Sequence, residues 1–264
     1  MKNILITGAY GGMGRATAKL FSENGYRVFA LDKKCGESED NIIPIEADIT
    51  SAESVLAALG RVKEYTNKLD AIIHFAGIYM LDSLVELDSS DYDKIFDINV
   101  RGVYLINKTF LPILSFGSRI LITTSELAVL DPLPFTGIYA ITKAALDKYA
   151  YSLAMELQLL DIKVSVLRAG AVKTSMLGAS TLALDKFCDS TALYSCNAKR
   201  FKEIVERVEA RCVDTSKIAK KSYEILNGKK PKFAYKINRN PLLLMLNVLP
   251  KRTQLWIIAR ILKK

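Results

Sequence analysis

The sequence has only one histidine, His74, and its four cysteines are scattered without a CxxC pair. A zinc site built on histidines is therefore excluded, and a four-cysteine site is disfavoured. No acidic residue follows Glu224, whereas ten of the 37 basic residues do, which leaves 27 basic groups against 28 acidic ones before it. The net charge of +9 thus belongs to the C-terminal tail. Because aromatic and basic residues are not interleaved as in RNA-binding segments, no nucleic-acid partner is predicted.

The first strand-like run begins at Asn3, which leaves no space before it for a signal peptide. The cysteines are then expected to be reduced thiols, and the predicted location is the cytoplasm. The C-terminal tail contains two apolar stretches, 241–249 and 253–262, and neither has the ~20 residues needed to span a bilayer.

Short apolar runs alternate with longer helical patterns along the chain. The predicted strands are Asn3–Thr7, Arg27–Leu31, Ile42–Glu46, Ala71–Phe75, Arg119–Thr123 and Lys163–Leu167, and the predicted helices lie near 12–24, 51–66, 91–115 and 137–160. Consecutive apolar residues are typical of strands that are covered on both faces. The pattern predicts an α/β fold with a doubly wound parallel sheet, that is, a Rossmann fold.

No repeat or Pro/Gly-rich linker divides the chain, so one catalytic domain is predicted over residues 1–237. A basic, apolar helical tail is predicted over 238–264. Residues 178–211 follow the sixth strand, where the carboxyl ends of such a sheet face a ligand, and they are predicted to cover the substrate with loops and short helices. The alternative is a surface insertion without function.

The first strand runs into a glycine-rich turn, Thr7-Gly8-Ala9-Tyr10-Gly11-Gly12-Met13-Gly14, and a helical pattern follows at once. Such a turn lets backbone N–H groups approach a pyrophosphate at the positive end of a helix. Gly8, Gly12 and Gly14 fit the spacing TGxxxGxG, while Gly8, Gly11 and Gly14 fit TGxxGxxG. The motif alone does not choose between the two.

Asp32 ends the second strand, 18 residues beyond Gly14. A carboxylate there accepts hydrogen bonds from the adenosine ribose hydroxyls and repels a 2′-phosphate, which favours NAD over NADP. Lys33 and Lys34 follow directly and would weaken that discrimination.

Tyr139 and Lys143 are four residues apart in a helical pattern, so both side chains project from one face. A nearby ammonium is expected to lower the pKa of a phenol from its usual value near 10, giving an acid/base group for neutral pH. Ser125 follows the fifth strand, where its hydroxyl would bind a substrate carbonyl. Asn99, inside the helical pattern at 91–115, would hold a water that relays protons from Lys143.

These ordered motifs resemble the short-chain dehydrogenase/reductase family over nearly all of residues 1–236. They are TGAYGGMG at 7–14, Asp32, Ala47-Asp48-Ile49, Ala76-Gly77, Asn99, Ser125, the Tyr139/Lys143 pair and Gly170 to Thr174. The resemblance implies that Tyr139 is the acid/base, Lys143 its modulator and ribose ligand, Ser125 the substrate-orienting residue and Asn99 the proton relay. It further implies cofactor contacts from Gly8, Gly12, Met13, Gly14, Asp32, Asp48, Ile49, Ala76, Gly77, Tyr139, Lys143, Val172 and Thr174.

Two positions depart from the family pattern. The usual Asn-Asn-Ala-Gly is His74-Phe75-Ala76-Gly77 here, and the usual Pro-Gly is Ala169-Gly170. His74 is interpreted as a structural substitute, and Ala169 is expected to loosen the loop over the nicotinamide.

The tail reads PLLLMLNVL at 241–249 and TQLWIIARIL at 253–262, with basic residues around both pieces. Peripheral membrane contact and packing on the subunit's own substrate entrance, or on a partner subunit, remain alternatives. Similar tails in family members that act on steroids and retinoids favour a lipophilic alcohol or ketone as substrate. A homodimer or homotetramer is predicted. The other functions considered are a sugar-nucleotide epimerase or dehydratase and a nucleotide-binding protein without catalysis.

Overall fold

Seven parallel strands form one sheet in the computed structural model, which describes residues 1–208 and 212–263. The strands are β1 (Lys2–Thr7), β2 (Tyr26–Asp32), β3 (Ile42–Glu46), β4 (Leu69–His74), β5 (Leu114–Ser125), β6 (Lys163–Ala169) and β7 (Ala234–Ile237). Their order is β3-β2-β1-β4-β5-β6-β7. The order reverses between β1 and β4, and the carboxyl ends of these two strands open a crevice in which such sheets bind ligands. The predicted doubly wound parallel fold is confirmed.

Ten α-helices occur among the described residues. They are α1 (Gly12–Glu23), α2 (Ala52–Lys63), α3 (Ser89–Phe96), α4 (Gly102–Phe110), α5 (Gly137–Leu157), α6 (Ser175–Ser190), α7 (Ser195–Val208), α8 (Thr215–Asn227), α9 (Pro241–Val248) and α10 (Lys251–Leu262). Helices α2, α4 and α5 cover one face of the sheet, and α1 and α8 cover the other. Because both faces are covered, strand residues such as Ile4, Leu5 and Ile6 are completely buried, as their unbroken apolar runs predicted.

The helix predicted over residues 91–115 is interrupted. A π-helical segment, Asp97–Arg101, separates α3 from α4, and a 3-10 turn at Leu111–Ile113 ends α4. Pro112 stands at the start of that turn and has no N–H to continue the helix. The π-helical segment places Asn99 in the interior, completely buried. Such segments are frequent at functional sites.

The edge strand β7 was not predicted from the sequence. It has only four residues, none of them fully buried, and it pairs with β6 from Val166 opposite Ala234 to Ala169 opposite Ile237. A strand this short has too few residues for a clear period-two signal.

The segment predicted to cover the substrate consists mainly of the long helices α6 and α7 rather than loops and short helices. Residues 209–211 of that segment lie outside the described residues. A third apolar cluster joins these helices to the tail, with Leu184, Phe187, Phe201 and Leu262 among its buried members.

The tail folds back onto the rest of the chain. In α10, Leu262 and Ile258 pack in the third apolar cluster, and the backbone carbonyl of Leu262 accepts a hydrogen bond from Asn197 Nδ2 at 2.7 Å. Lys251 forms an ion pair with Asp131, which lies in the loop after β5. Within the described part of the chain, no helix combines the length and apolarity needed to cross a bilayer.

Candidate active site

The glycine-rich turn links the end of β1 to α1 and has no room for side chains at two positions. Gly8 has φ +67°, and a Cβ added to it would lie 2.6 Å from the backbone nitrogen of Ala76. A Cβ on Gly14 would lie 2.0 Å from the carbonyl oxygen of Gly8. Separations this short are not possible between nonbonded atoms, so glycine is required where the backbone turns into α1.

The sterics also separate the two glycine spacings that the sequence left open. A Cβ on Gly12 would lie 2.9 Å from Thr174 Cγ2, whereas one on Gly11 would meet nothing closer than 3.4 Å. Gly12 therefore permits close packing of the turn against the loop after β6, and Gly11 has no comparable constraint. The structure favours the spacing TGxxxGxG.

Asp32, at the end of β2, is bound by the backbone of the glycine-rich turn. Its Oδ2 accepts the N–H of Tyr10 at 2.9 Å, and its Oδ1 accepts the N–H of Lys33 at 2.8 Å. These bonds fix the carboxylate at the carboxyl end of β2, at the rim of the crevice that β1 and β4 open. Its position and charge match those expected of a group that binds ribose hydroxyls.

Lys33 is not a free cation beside Asp32, because its Nζ bonds Asp48 Oδ2 at 2.8 Å. The side-chain hydrogen bond from Lys33, followed by those from Thr50, lowers the pKa of Asp48 to about 2. The Lys33 side chain is exposed and that of Asp48 is partly exposed, so the ion pair contributes little to the stability of the fold. Its structural effect is to direct the ammonium toward Asp48, while Lys34 remains exposed.

A cleft of about 760 Å³ lies at the carboxyl ends of β1, β2 and β4. Its walls include most residues that the sequence assigned to cofactor binding, namely Gly8, Gly12, Met13, Gly14, Asp32, Asp48, Ile49, Ala76, Gly77 and Thr174. Val172 does not line it; this residue is buried and forms a β-bridge with Val213. The volume, the glycine cradle and the carboxylate at the rim fit a bound dinucleotide.

The four residues predicted to carry proton chemistry lie next to this cleft rather than in its walls. Tyr139 and Lys143 occupy successive turns of α5, with Lys143 Nζ 5.6 Å from the centre of the Tyr139 ring. Ser125, at the end of β5, hydrogen-bonds the Tyr139 phenol. Lys143 Nζ also lies 3.4 Å from the carbonyl oxygen of Thr123. The fold thus brings together a hydroxyl, a phenol and an ammonium from two elements.

Burial, rather than the charge of neighbouring groups, has the largest effect on the pKa values of Tyr139 and Lys143. It raises the pKa of Tyr139 to about 12, against the opposing effect of the Ser125 hydrogen bond. It lowers the pKa of Lys143 to about 8. The lowered phenol pKa expected from the sequence is therefore not found in this structure, and Tyr139 is a protonated acid at neutral pH.

Asn99 holds the loop after β4 beside Lys143. Its Oδ1 accepts the N–H of Ile78 at 2.8 Å, and its Nδ2 donates to the carbonyl of Ile78 at 3.0 Å and to Thr142 Oγ1 at 3.1 Å. A Cβ on Gly77 would lie 3.1 Å from Asn99 Oδ1 and 3.6 Å from Lys143 Nζ. The side chain of Asn99 thus fixes the distance between this loop and α5.

Sequence reasoning missed the aromatic residues on the substrate side. The ring of Tyr79 lies 4.9 Å from that of Tyr139, centre to centre. Phe135 has φ +67° and contacts Phe187 at 4.6 Å and Phe201 at 5.6 Å. A left-handed conformation is unusual for a bulky residue, and such strain occurs at ligand sites. Neither residue belongs to a motif, so only their three-dimensional positions connect them to the site.

His74 lies outside this proton-transfer group. It is almost completely buried, and its Nε2 lies 2.9 Å from Asn107 Oδ1, while Asn107 Nδ2 donates to the Tyr149 hydroxyl. Burial lowers the pKa of His74 to about 4. The residue links β4 to α4 and, through Asn107, to α5.

Comparison with known proteins gives consistent matches. Residues 2–184 match the family model described as short chain dehydrogenase. Oxidoreductase UcpA of Escherichia coli (strain K12) is 32% identical over 187 residues, which cover 66% of this chain and 71% of that protein. A 3-ketodihydrosphingosine reductase of Bacteroides thetaiotaomicron is 26% identical over 235 residues, covering 89% of this chain and 87% of that protein.

A short chain dehydrogenase family protein from Francisella tularensis subsp. tularensis SCHU S4 has a similar crystal structure. The superposition has a TM-score of 0.75 at 24% identity and covers 90% of this chain and 97% of that one. At this identity the likeness supports the fold alone.

Proposed function

Because the chain belongs to the short-chain dehydrogenase family and is a dehydrogenase/reductase, we propose that it interconverts a lipophilic secondary alcohol and its ketone. The observation that carries this proposal is the cluster of Ser125, Tyr139 and Lys143 beside a cleft that fits a dinucleotide. The family match favours this reading over an epimerase, a dehydratase or a non-catalytic nucleotide-binding protein.

In the direction of reduction, the ketone oxygen binds between the Ser125 hydroxyl and the Tyr139 phenol. NAD(P)H, when bound, supplies the hydride to the carbonyl carbon. Tyr139 gives its proton to the developing alkoxide, and the Lys143 ammonium stabilises the phenolate that remains. Alcohol oxidation runs in reverse and requires the ionised form of Tyr139, which is the minor form at neutral pH, to accept the hydroxyl proton. Asn99 keeps the neighbouring loop in place, and its role in proton relay remains part of the proposal.

The family uses NAD(P), and we propose NAD(H) for this protein. The support is electrostatic: Asp32 is fixed at the crevice rim, and Lys33 is paired with Asp48 rather than free for a 2′-phosphate. The exposed Lys34 is the remaining cation of this loop.

The cofactor proposal predicts that the wild-type enzyme has a kcat/KM at least about 10-fold higher with NADH than with NADPH. Asp32→Ser is expected to reduce that preference about 10-fold or more, because the variant neither accepts charge-assisted hydrogen bonds from the ribose diol nor repels the phosphate. The measurement is the initial rate with each cofactor on a panel of ketosteroids, long-chain ketones and the aldehyde retinal, together with the corresponding alcohols in the direction of oxidation.

Glu37→Gln is the matched control, since it removes an exposed carboxylate from the same loop. It should leave the cofactor ratio unchanged. A wild-type enzyme that prefers NADPH would refute the cofactor assignment. Failure to reduce any ketone or oxidise any alcohol in the panel with both cofactors would count against the reaction itself.

The lipophilic substrate is supported by the partly buried members of the third apolar cluster, in particular Tyr79, whose ring lies 4.9 Å from that of Tyr139. Steroid-like, retinoid-like and long-chain ketones all suit such a surface. The relative named for 3-ketodihydrosphingosine adds support for a long-chain ketone. A homodimer or homotetramer remains our prediction for the assembly.

We further propose that the tail contacts membrane surfaces peripherally. One side of α10 packs on the subunit, whereas Leu255 and Trp256 on the other side are 72% and 65% exposed. Arg252 and Arg260 lie on the same outward face, and no acidic residue follows Glu224. Apolar side chains flanked by cations suit the interface of an anionic bilayer.

The double substitution Leu255→Ser and Trp256→Ser is expected to weaken association with phosphatidylcholine vesicles containing phosphatidylglycerol by about 10-fold or more. Burial of a large apolar side chain contributes about 1.5–3 kcal/mol, and the two side chains here face solvent, so the fold should be unaffected. Vesicle co-sedimentation measures the effect. Point variants are preferable to tail deletion, which would uncover Leu262 and its neighbours.

Leu159→Ser provides the control for this experiment, because Leu159 is 83% exposed in the 3-10 turn directly after α5 and lies outside the tail. It should bind vesicles like the wild type. Equal association of the double variant and the wild type would show that the exposed face of α10 does not contact membranes.

A further inference from the structure

Glu126 directly follows Ser125 and lies among three parts of the substrate side. The pairing of β5 and β6 sets Ser125 opposite Ala169. The Glu126 side chain lies beside Gly170, the first residue of the loop after β6: a Cβ on Gly170 would lie 3.2 Å from Glu126 Oε1. The other carboxylate oxygen, Oε2, accepts the N–H of Asn240 from the tail at 2.8 Å. The carboxylate therefore lies between the serine loop, the loop after β6 and the start of α9.

The two oxygens of this carboxylate differ in their partners. Oε2 has the backbone of Asn240, whereas Oε1 has no hydrogen bond or ion pair within residues 1–208 and 212–263. Burial raises the pKa of Glu126, against smaller lowering effects from the Asn240 N–H and from the charge of Arg239. Its one hydrogen-bond donor among the described residues is neutral, and the charge of Arg239 has a smaller effect than burial, so the carboxylate is incompletely stabilised.

Attachment of the tail does not by itself require this charge. A neutral amide oxygen would also accept the Asn240 N–H, although more weakly, and the second oxygen makes no contribution to that contact. The tail is also held by Asp131, whose backbone N–H donates to Asn247 Oδ1 and whose carboxylate pairs with Lys251. The unpartnered oxygen, next to the residue that orients the substrate carbonyl, points to a ligand with a positive charge.

We propose that Glu126 binds a protonated amine of the substrate, so that the enzyme's substrates are long-chain amino ketones and the corresponding amino alcohols. This inference rests on the proposed ketone–alcohol activity. The carbonyl oxygen occupies the Ser125–Tyr139 position, and the ammonium near it bonds Glu126 Oε1. The hydrocarbon chain lies against the partly buried edge of the third apolar cluster, beside Tyr79. Glu126 is thus a specificity-determining residue, while the proton chemistry remains with Tyr139.

The test uses two ketones that differ only in the amino group, 2-aminododecan-3-one and dodecan-3-one. Wild-type enzyme is expected to have a kcat/KM about 10- to 100-fold higher for the amino ketone, as a charge-assisted hydrogen bond provides. Glu126→Gln keeps an acceptor for Asn240 and loses the charge. It should bring the ratio close to one through a higher KM for the amino ketone, with activity on dodecan-3-one within about 3-fold of the wild type.

Asp131→Asn is the matched control, because it removes another carboxylate from the same loop and loosens the tail without changing Glu126. It should retain the preference for the amino ketone. Equal activity of the wild type on both ketones would overturn the role of Glu126 while leaving the proposed function intact, and this comparison does not require a folded variant. An equal loss on both ketones in Glu126→Gln would assign the residue to tail attachment and also overturn the inference. Failure of the wild type on both ketones and on the wider panel would refute the proposed function itself.

Discussion

Tyr139→Phe is expected to lower kcat for ketone reduction by about 10³-fold while leaving the Kd for the cofactor within about 2-fold of the wild-type value. General acid catalysis by a positioned side chain contributes 10²- to 10⁴-fold, and no second acid bonds Ser125 in the described part of the site. The phenylalanine ring preserves the packing against Tyr79, so only the proton donor is lost. Initial rates and titration of protein fluorescence with NADH measure the two quantities.

Tyr151→Phe is the control for this substitution, because Tyr151 lies on the same helix with about half of its surface exposed. The Tyr151→Phe substitution removes a phenol hydroxyl away from the site, so the kcat of this variant should equal that of the wild type. If Tyr139→Phe retained more than a tenth of the wild-type kcat, Tyr139 would not be the proton donor. A comparable loss of cofactor binding would instead indicate a structural role.

The free energy of unfolding is expected to fall by about 3 kcal/mol between pH 7 and pH 4 because of the protonation of His74. In the unfolded chain this residue takes up a proton near pH 6.5, whereas burial lowers its pKa in the folded protein to about 4. Between these values the unfolded state binds more protons, so the free energy of unfolding decreases as the pH falls through this window. Above pH 6.5 the residue is neutral in both states, and its titration has no effect on stability.

His74→Asn isolates this contribution, because His74 is the only histidine in the sequence. The variant should be less stable than the wild type at pH 7, since it leaves a cavity beside Asn107. The difference between the two proteins should then shrink or reverse by pH 4, where the wild type has lost its histidine contribution. Urea unfolding of both proteins at pH 7 and pH 4 gives the comparison. Parallel pH dependence in the two proteins would mean that His74 is readily protonated in the folded state.

The strand core was predictable from sequence because its chemical signal is local. Apolar runs such as those around Ile4 and Ile72 are buried on both sides of the sheet, and their positions along the chain correspond to strands in the structure. The long helix pattern failed at Asn99 and Pro112, where a π-helical segment and a 3-10 turn replace regular geometry. A hydrophobic period reports which face is buried, and it does not report such local changes in hydrogen bonding.

In the candidate site, too, the sequence predicted some features and could not predict others. Glycine spacing predicted a turn, but the choice between Gly11 and Gly12 depends on Thr174, which lies more than 160 residues away in the chain. The spacing of Tyr139 and Lys143 placed them on one face of a helix, yet their pKa values depend on burial by other elements. Desolvation is a property of the assembled site and has no signature in a short motif.

The sequence by itself determined the order of the elements, the motif residues and the location of the excess positive charge, because each depends on residue type and short spacing. Only the tertiary structure decided that Lys33 pairs with Asp48 and that Phe135 contacts helices α6 and α7. It also decided that the tail packs on its own subunit while exposing Trp256. It also placed Glu126 beside Gly170 and Asn240. These contacts join residues that are distant in the chain, and packing of the folded molecule fixes them.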